Sequence, residues 1–307
     1  MKRALLFSGQ GAQHVGMGRD LWELPEIAAL YARADELLGF PFSKDCFEGP
    51  EERLTETDVC QPALYVHGYA LLTLARKEIP GFHFEATAGL SLGEYTAHAA
   101  AGTFDFETGL KLVHRRGALM QEACRATEGG MIALLGADDK VAGEIAAASG
   151  LDVANFNCPG QIVLSGPKTA IPTAQQVAKE KGVRRALPLN VAGAYHSRLM
   201  ASAEKAMEPE LAAASFQKPA VPVYANFSGA ASEDPAEIRT LLASQITGSV
   251  RWEADLRGLL AQGITQFVEF GPGGVLAGFL KRIDPAAVCI SISTLENFKE
   301  HSHALNQ

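Results

Sequence analysis

The stretch ATAGLSLGEYTAHAAAG, residues 86–102, indicates the fold class of this 307-residue chain. It begins as a short apolar segment, turns through the glycine-flanked sequence G-L-S-L-G at 89–93 and continues as an alanine-rich segment that ends at Gly102. A run that passes through a tight glycine turn into a helix is typical of α/β proteins. The same texture recurs at 264–283 around a Gly-Pro-Gly-Gly turn. The sequence therefore predicts an α/β fold with a parallel sheet covered by helices.

The texture changes between residues 126 and 192. Strand-like segments at 129–138, 151–167 and 183–196 alternate with helix-like segments at 139–149 and 168–181. The order β-α-β-β-α-β is that of a split βαβ unit. We therefore predict a discontinuous α/β domain made of residues 1–125 and 193–307, with a ferredoxin-like α+β subdomain inserted at 126–192.

Ser91 lies at the centre of a G-x-S-x-G motif between the predicted strand and helix. Gly89 and Gly93 allow the chain to close tightly around this serine, and the N–H of the following residue then faces a developing oxyanion. This context predicts that Ser91 is a nucleophile. A serine that only caps the helix is the alternative, since the same geometry favours it.

A serine nucleophile needs a base, and His196 is the strongest candidate. It follows a predicted strand and a small-residue turn in NVAGAYHSRLM, 190–200, and it comes after the serine, as in hydrolases. Other histidines fall in helical patterns or in the polar C-terminal segment: His67, His98, His114, His301 and His303. No acidic residue occupies a comparable turn between Ser91 and His196, so the third member of a triad is missing.

Composition and charge exclude several classes of protein. The net charge of −8 argues against a nucleic-acid binder. Five scattered cysteines without a C-x-x-C pair argue against a disulfide framework or a zinc site. The glycine-rich loop at 9–18 has His14 where a dinucleotide fingerprint needs its third glycine. No run of 18 apolar residues and no signal-like N-terminus occur, so we expect a cytoplasmic protein that does not bind membranes.

Seven ordered blocks give the chain a resemblance to a known family. The chain resembles the malonyl-CoA:acyl carrier protein transacylases and the acyltransferase domains of fatty-acid and polyketide synthases. The blocks cover nearly the whole chain and are FSGQGAQHVGMG (7–18), TDVCQPALY (57–65), GLSLGEYTA (89–97), RRGALMQEA (115–123), NCPGQIVLSG (157–166), GAYHSRLM (193–200) and FVEFGPGGVLAGFLKRI (267–283). The resemblance implies a hydrolase-like α/β domain that carries an inserted ferredoxin-like subdomain.

The resemblance also implies a role for each residue of the site. Ser91 is expected to be acylated and His196 to act as base, with the backbone N–H groups of Gln10 and Leu92 as the oxyanion hole. In place of an acid, main-chain carbonyl groups around Ser249, Val250 and Arg251 are expected to orient the histidine. The expected substrate-binding residues are Arg116, which would bind a free carboxylate, together with Gln61, Asn157, Tyr195, Leu90 and Met120.

Three positions need separate comment. Residues alone do not choose between the adjacent Arg115 and Arg116, because the apolar stripe beside them is not decisive; the family block chooses Arg116. The residue before the serine is usually histidine in the family, and here it is Leu90, which removes one candidate base. The residue before the base is Tyr195, whose bulk is expected to crowd an α-methyl branch and to favour malonyl groups.

The reaction implied by the resemblance is ping-pong transfer of malonyl from coenzyme A, through an acyl-serine, to the phosphopantetheine thiol of an acyl carrier protein. No metal or tightly bound cofactor is expected, and a monomer is expected. The basic segments at 181–185 and 280–283 are candidates for carrier docking or are ordinary solvated surface. Alternatives are an acyl hydrolase on the same scaffold, a trans-acting polyketide synthase acyltransferase and a non-catalytic scaffold.

Overall fold

A computed structural model of the protein describes residues 2–306 and contains two β-sheets. The larger sheet has six strands in the order β10-β9-β1-β2-β7-β8. Its pairs are parallel except β7 with β8. Its strands are β1 (Arg3–Phe7), β2 (Ala86–Gly89), β7 (Val223–Ala225), β8 (Ala230–Ser232), β9 (Gln266–Phe270) and β10 (Val288–Ile292). This sheet confirms the predicted mixed α/β fold with a largely parallel sheet.

The smaller sheet is antiparallel, in the order β4-β5-β3-β6. Its strands are β3 (Gly129–Leu135), β4 (Asp152–Cys158), β5 (Gln161–Pro167) and β6 (Arg185–Pro188). Along the chain they follow the predicted order β-α-β-β-α-β, because α7 (Asp139–Ser149) and α8 (Ile171–Glu180) lie between them. The boundaries at 126 and 192, and the independence of this unit, stay predictions.

Helices cover the larger sheet on both faces. They are α1 (Pro25–Leu38), α2 (Phe42–Glu48), α3 (Glu51–Thr55), α4 (Thr57–Glu78), α5 (Gly93–Ala100), α6 (Phe106–Ala126), α9 (Ala201–Ala213), α10 (Pro235–Ser244), α11 (Trp252–Ala261), α12 (Val275–Ile283) and α13 (Leu295–Leu305). Along β1, Leu5 and Phe7 join one hydrophobic cluster while Ala4 and Leu6 join another. A strand buried on both faces needs apolar residues on both, which explains the apolar residues 4–7 that follow Arg3 in β1.

The smaller sheet is also buried on two sides. Ile132 and Leu134 of β3 pack with α7 and α8, whereas Met131 and Ala133 belong to the main cluster of the large sheet. A second connection is made by main-chain atoms: Val250 donates to the carbonyl of Ala154 at 2.8 Å and accepts from Phe156 N–H at 2.9 Å. The two sheets therefore meet in a continuous contact, and the cleft described below lies beside it.

Glu269 anchors the helix that forms one wall of that cleft. Its fully buried carboxylate accepts from the N–H groups of Leu276 at 3.0 Å and Ala277 at 3.1 Å, in the first turn of α12, and from the Ser291 hydroxyl at 2.9 Å. We expect Glu269→Ala to lower the free energy of unfolding by about 1–3 kcal/mol, because buried donors lose their acceptor. Urea unfolding measures it.

The control is Glu253→Ala, which removes the exposed i,i+4 pair with Arg257 on α11. Such a surface pair contributes roughly 0–1 kcal/mol. Equal losses in the two variants would contradict the anchoring role of Glu269.

Candidate active site

The turn at 89–93 has the geometry of a nucleophile elbow. β2 ends at Gly89, α5 begins at Gly93, and Ser91 between them has a φ of 54°, in the left-handed region. A Cβ on Gly89 would lie 2.0 Å from the carbonyl carbon of Gly93, and one on Gly93 would lie 2.3 Å from the carbonyl oxygen of Phe7. Both positions therefore require glycine, and the strain at Ser91 is tolerated only because its surroundings fix it.

His196 faces this serine. Its Nε2 lies 2.8 Å from Ser91 Oγ, and its Nδ1 lies 2.8 Å from the carbonyl oxygen of Gln245. A carbonyl can only accept, so Nδ1 carries the proton and Nε2 is free to accept from the serine hydroxyl. His196 also has a positive φ, 56°, in a loop rather than at the end of a strand. The pair has the arrangement of a nucleophile and its base.

The prediction of which carbonyl groups orient His196 is wrong. We expected Ser249, Val250 and Arg251 to hold His196, and the structure uses Gln245 instead. The three residues are engaged elsewhere. Val250 pairs with β4, Ser249 Oγ donates to the Val153 carbonyl at 2.5 Å, and Arg251 N–H donates to Asn226 at 2.8 Å.

Arg116, rather than Arg115, reaches the serine. It is 1% exposed, and its Nη2 donates to Ser91 Oγ at 3.0 Å and to Gln245 Oε1 at 2.8 Å. Its Nη1 donates to Gln61 Oε1 at 2.8 Å. Arg115 points outward and pairs with Glu210 on the surface, as expected for adjacent helical residues about 100° apart.

This guanidinium is a buried cation whose hydrogen-bond partners are amides and a hydroxyl. Burial lowers the pKa of Arg116, and the nearby Tyr95, Glu94 and Tyr195 oppose that shift. Arginine stays protonated nonetheless. Its Nε is buried without a partner. A buried positive charge that no carboxylate pairs directly is suited to an anionic ligand.

A cleft of about 620 Å³ opens above the serine. Eight of the residues predicted for the site line it: Gln10, Leu90, Ser91, Arg116, Met120, Asn157, Tyr195 and His196. Gln61 contributes through Arg116 and donates to Met120 Sδ at 3.5 Å. Leu92 follows the serine at the start of α5 with a buried side chain. Val275, Leu276 and Phe279 of α12 form the opposite wall.

Tyr195 is fixed at the cleft by hydrogen bonds. Its hydroxyl lies 2.7 Å from Thr57 Oγ1, and Gln10 and Cys124 also interact with it. Burial raises the pKa of Tyr195 to about 12, so the ring is neutral at pH 7. A tethered aromatic ring beside His196 limits the space around a bound acyl group.

Sequence reasoning missed three residues that hold the serine. The Gln245 side chain donates to the Ser91 carbonyl at 3.0 Å, Asn226 Oδ1 accepts from Ser91 N–H at 2.7 Å, and Glu94 Oε2 accepts from the Gln245 side-chain amide and the Asn226 main-chain N–H. One signal was available for Asn226, because it is the polar residue that follows the apolar run of β7, and sites of open α/β sheets lie at the carboxyl ends of strands. Glu94 is an acid within an apolar helix. Gln245 carries no such signal.

With this geometry established, we compared the chain with known proteins. A model of the acyl transferase domain family matches residues 4–294. The chain belongs to the acyl transferase family. The malonyl CoA-acyl carrier protein transacylase of Bacillus subtilis is 40% identical, over 97% of this chain and 95% of that protein.

Solved structures of family members have the same fold. The acyl-carrier-protein-S-malonyltransferase of Bartonella henselae superposes with a TM-score of 0.94 at 37% identity and covers 100% of both chains. A type II PKS malonyl-transacylase in complex with its acyl-carrier protein superposes with a TM-score of 0.94 at 34% identity, over 99% of this chain and 100% of that one. These likenesses cover both sheets of the fold.

Two searches for other features found nothing. No helix within residues 2–306 is long and apolar enough to span a membrane. The same range holds no cluster of three or more His, Cys, Asp or Glu suited to a metal ion.

The environment of His196 predicts the pH dependence of acylation. Burial, and then the charge of Arg116, lower the pKa of His196 to about 4, against smaller upward effects of the Gln245 and Gly248 main chain. The base acts only when neutral, so kcat/KM for acylation should rise with pH through about 4 and level off above it. Stopped-flow acylation across buffered pH measures this limb.

Removing the cation should shift the pH at which kcat/KM for acylation rises. We expect Arg116→Met to move this pH upward, toward the ordinary histidine pKa near 6.5. Arg115→Met, the surface control, should leave it in place. A limb that does not move in Arg116→Met would show that burial alone sets the pKa of His196.

Proposed function

We propose that this protein is a malonyl-CoA:acyl carrier protein transacylase that works through a malonyl-Ser91 intermediate. The observation that carries the proposal is the position of Arg116, a buried cation 3.0 Å from the nucleophile's Oγ. An acyl group with a free carboxylate would place that carboxylate on the guanidinium while its thioester carbonyl faces Ser91. The family membership and the named activities of the relatives support the same assignment.

The first half-reaction acylates the serine. His196 Nε2 accepts the hydroxyl proton as Ser91 Oγ attacks the thioester carbonyl, and the oxyanion faces the backbone N–H groups of Gln10 and Leu92. The carbon–sulfur bond then breaks, and His196 returns its proton to the leaving coenzyme A thiolate. Gln245 holds the imidazole in the required tautomer throughout.

The second half-reaction removes the malonyl group from Ser91. The phosphopantetheine thiol of an acyl carrier protein gives its proton to His196 and attacks the ester, and Ser91 recovers the proton as it leaves. The steps use the side chains of this chain and its two substrates, with no tightly bound cofactor. Carrier docking at 181–185 and 280–283, a monomeric state and a cytoplasmic location are parts of the same proposal.

Asn157, Leu90 and Met120 line the cleft beside the reacting atoms, where they would contact the acyl chain or the pantetheine arm. Tyr195 would crowd an α-methyl branch and favour malonyl over methylmalonyl groups. A trans-acting polyketide synthase acyltransferase would perform the same chemistry on another carrier. The name of one structural relative places such a carrier with its transacylase.

Mass spectrometry after mixing with malonyl-CoA tests the proposal. We expect a stable malonyl adduct on Ser91, and Ser91→Ala should lose it and reduce turnover by roughly 10⁴-fold or more. Release of coenzyme A without an adduct would indicate a hydrolase, and no reaction would indicate a scaffold. An adduct mapped to another residue would contradict the role of Ser91.

Arg116 should determine acyl selectivity. Loss of one partner in a desolvated charge pair costs about 2–5 kcal/mol, so Arg116→Ala should lower malonyl transfer by roughly 30-fold to several thousand-fold. Acetyl transfer should hold steady or rise, because acetyl has no carboxylate. Arg116→Lys should restore malonyl transfer only in part, since lysine lacks the planar fork.

The matched control is Arg115→Ala, which removes a surface pair with Glu210. Its malonyl-to-acetyl ratio should equal that of the unmodified enzyme. Equal losses of malonyl and acetyl transfer in Arg116→Ala would make Arg116 structural and remove the main support for a dicarboxylate substrate.

A further inference from the structure

The strain at Ser91 raises the question of what holds it. A left-handed φ at a residue other than glycine is unfavourable and persists only where the surroundings over-determine it. Glycines at 89 and 93 make room for the turn, but they do not force Ser91 into this conformation. The restraint has to come from groups that bond to the main chain of the turn itself.

Asn226 provides such a restraint from one side. Its Oδ1 accepts from Ser91 N–H at 2.7 Å, and its Nδ2 donates to the Gly89 carbonyl at 2.9 Å. One planar amide thus spans Leu90 and fixes the main-chain groups before and after it. A shift of Ser91 toward an ordinary φ would break at least one of these buried bonds.

The amide is itself held in one orientation. Nδ2 of Asn226 also donates to Asp255 Oδ2 at 2.9 Å, and its main-chain N–H donates to Glu94 Oε2 at 3.0 Å. Because Asp255 presents an acceptor to Nδ2, a flipped amide would place two oxygens against each other and would lose both bonds to the turn. Glu94 and Asp255 are completely buried, so water does not compete for Asn226.

Gln245 restrains the other side of the serine. Its Nε2 donates to the Ser91 carbonyl at 3.0 Å and to Glu94 Oε2 at 2.6 Å. Both main-chain polar groups of the nucleophile are therefore bound by side-chain amides, and Glu94 Oε2 accepts from the Gln245 side chain and from the Asn226 main-chain N–H. We call Asn226, Gln245, Glu94 and Asp255 the elbow clamp.

We propose that Asn226 is a positioning residue for acylation: through the elbow clamp it keeps Ser91 in the left-handed conformation that presents Oγ to His196. This inference takes its substrate, malonyl-CoA, from the proposed function, whereas the hydrogen bonds on which it is argued do not depend on that function. Asn226 contacts the main chain at Gly89 and Ser91, so it acts on the reaction through the position of the nucleophile.

Asp255 enters the clamp as a hydrogen-bond acceptor through Oδ2. Its second oxygen, Oδ1, is buried and has no hydrogen-bond partner among the described residues. Burial and the neighbouring Glu94 raise the pKa of Asp255 well above its usual range, against the bond from Asn226. An asparagine at 255 should therefore keep the clamp, since its side-chain oxygen can accept the same bond.

The test measures nucleophile reactivity with two reagents. In Asn226→Ala, we expect the rate of Ser91 phosphonylation by a fluorophosphonate, and the malonyl-CoA acylation rate constant, to fall by about 100-fold, as for a misplacement near 1 Å. KM for malonyl-CoA should stay within about threefold, because Arg116 and the cleft wall are untouched. A loss of folded enzyme would lower the fraction of Ser91 that reacts, but not the rate constant with which the folded fraction reacts.

Three further variants provide rescue and controls. Asp255→Asn should react within about threefold of the unmodified enzyme, while Asp255→Leu should lose roughly 10-fold, since Asn226 then lacks one restraint. Gln266→Leu is the control for lost stability, because it removes buried hydrogen bonds at a distance from the turn. Gln266 accepts from Arg3 Nε at 2.6 Å and donates to the Ala304 carbonyl at 3.1 Å, at the amino ends of the parallel strands, opposite the end that carries Ser91.

Two results would overturn the proposal. One is an unchanged rate of Ser91 phosphonylation in Asn226→Ala, or in Asp255→Leu if Asn226→Ala does not fold. The other is an equal loss of reactivity in Gln266→Leu at a matched melting temperature. The reaction with the fluorophosphonate needs no acyl-CoA. If the enzyme without substitutions reacts with the fluorophosphonate but not with malonyl-CoA, the proposed function is contradicted and the positioning result still stands.

Discussion

The close approach of two chain segments at Gly93 is the constraint on which the site depends. This glycine lies so near the Phe7 carbonyl that no side chain fits, and β1 and α5 are thereby brought into main-chain contact. The contact places the start of α5 directly at the carboxyl end of the central strand of the sheet. It also leaves only a short turn between β2 and α5, in which the elbow clamp holds Ser91 in a left-handed conformation. The strain thus occurs where α5, which follows β2, packs against the neighbouring strand β1.

Buried polar groups then decide what the strained serine can do. Arg116, Glu94 and Asp255 are all buried near it, and the Gln245 amide lies between the guanidinium and the Glu94 carboxylate. A direct Arg116–Glu94 ion pair would neutralise the guanidinium and leave little attraction for a carboxylate substrate. With Gln245 between them, the acid orients the amide and the cation remains available. The same charge lowers the pKa of His196, so Arg116 acts on the proposed base as well as on the serine to which it donates.

The sequence predicted the parts of this arrangement that are local in the chain. Gly89, Ser91 and Gly93 form a motif because the turn is built from consecutive residues, and the α/β order follows from alternating apolar segments. His196 was chosen from its place in the sequence, whereas Arg116 was found with help from a family resemblance, since the residues alone left Arg115 open. The carbonyl that holds His196 was predicted wrongly. Its choice depends on the long-range pairing of Val250 with β4, which no local pattern records. Asn226 and Gln245 were missed for the same reason, as they meet Ser91 only after the chain has folded.

The segment 245–251 links the small sheet to His196. At one end the Gln245 carbonyl fixes the His196 ring, and five residues later Val250 pairs with Ala154 and Phe156 beside β4. β4 continues to Asn157, which lines the cleft. The carbonyl that accepts from His196 Nδ1 and the strand that borders the cleft are therefore linked by hydrogen bonds through one short segment. The small sheet and the histidine thus share one support, and a main-chain carbonyl takes the place that a carboxylate occupies in a Ser-His-Asp triad.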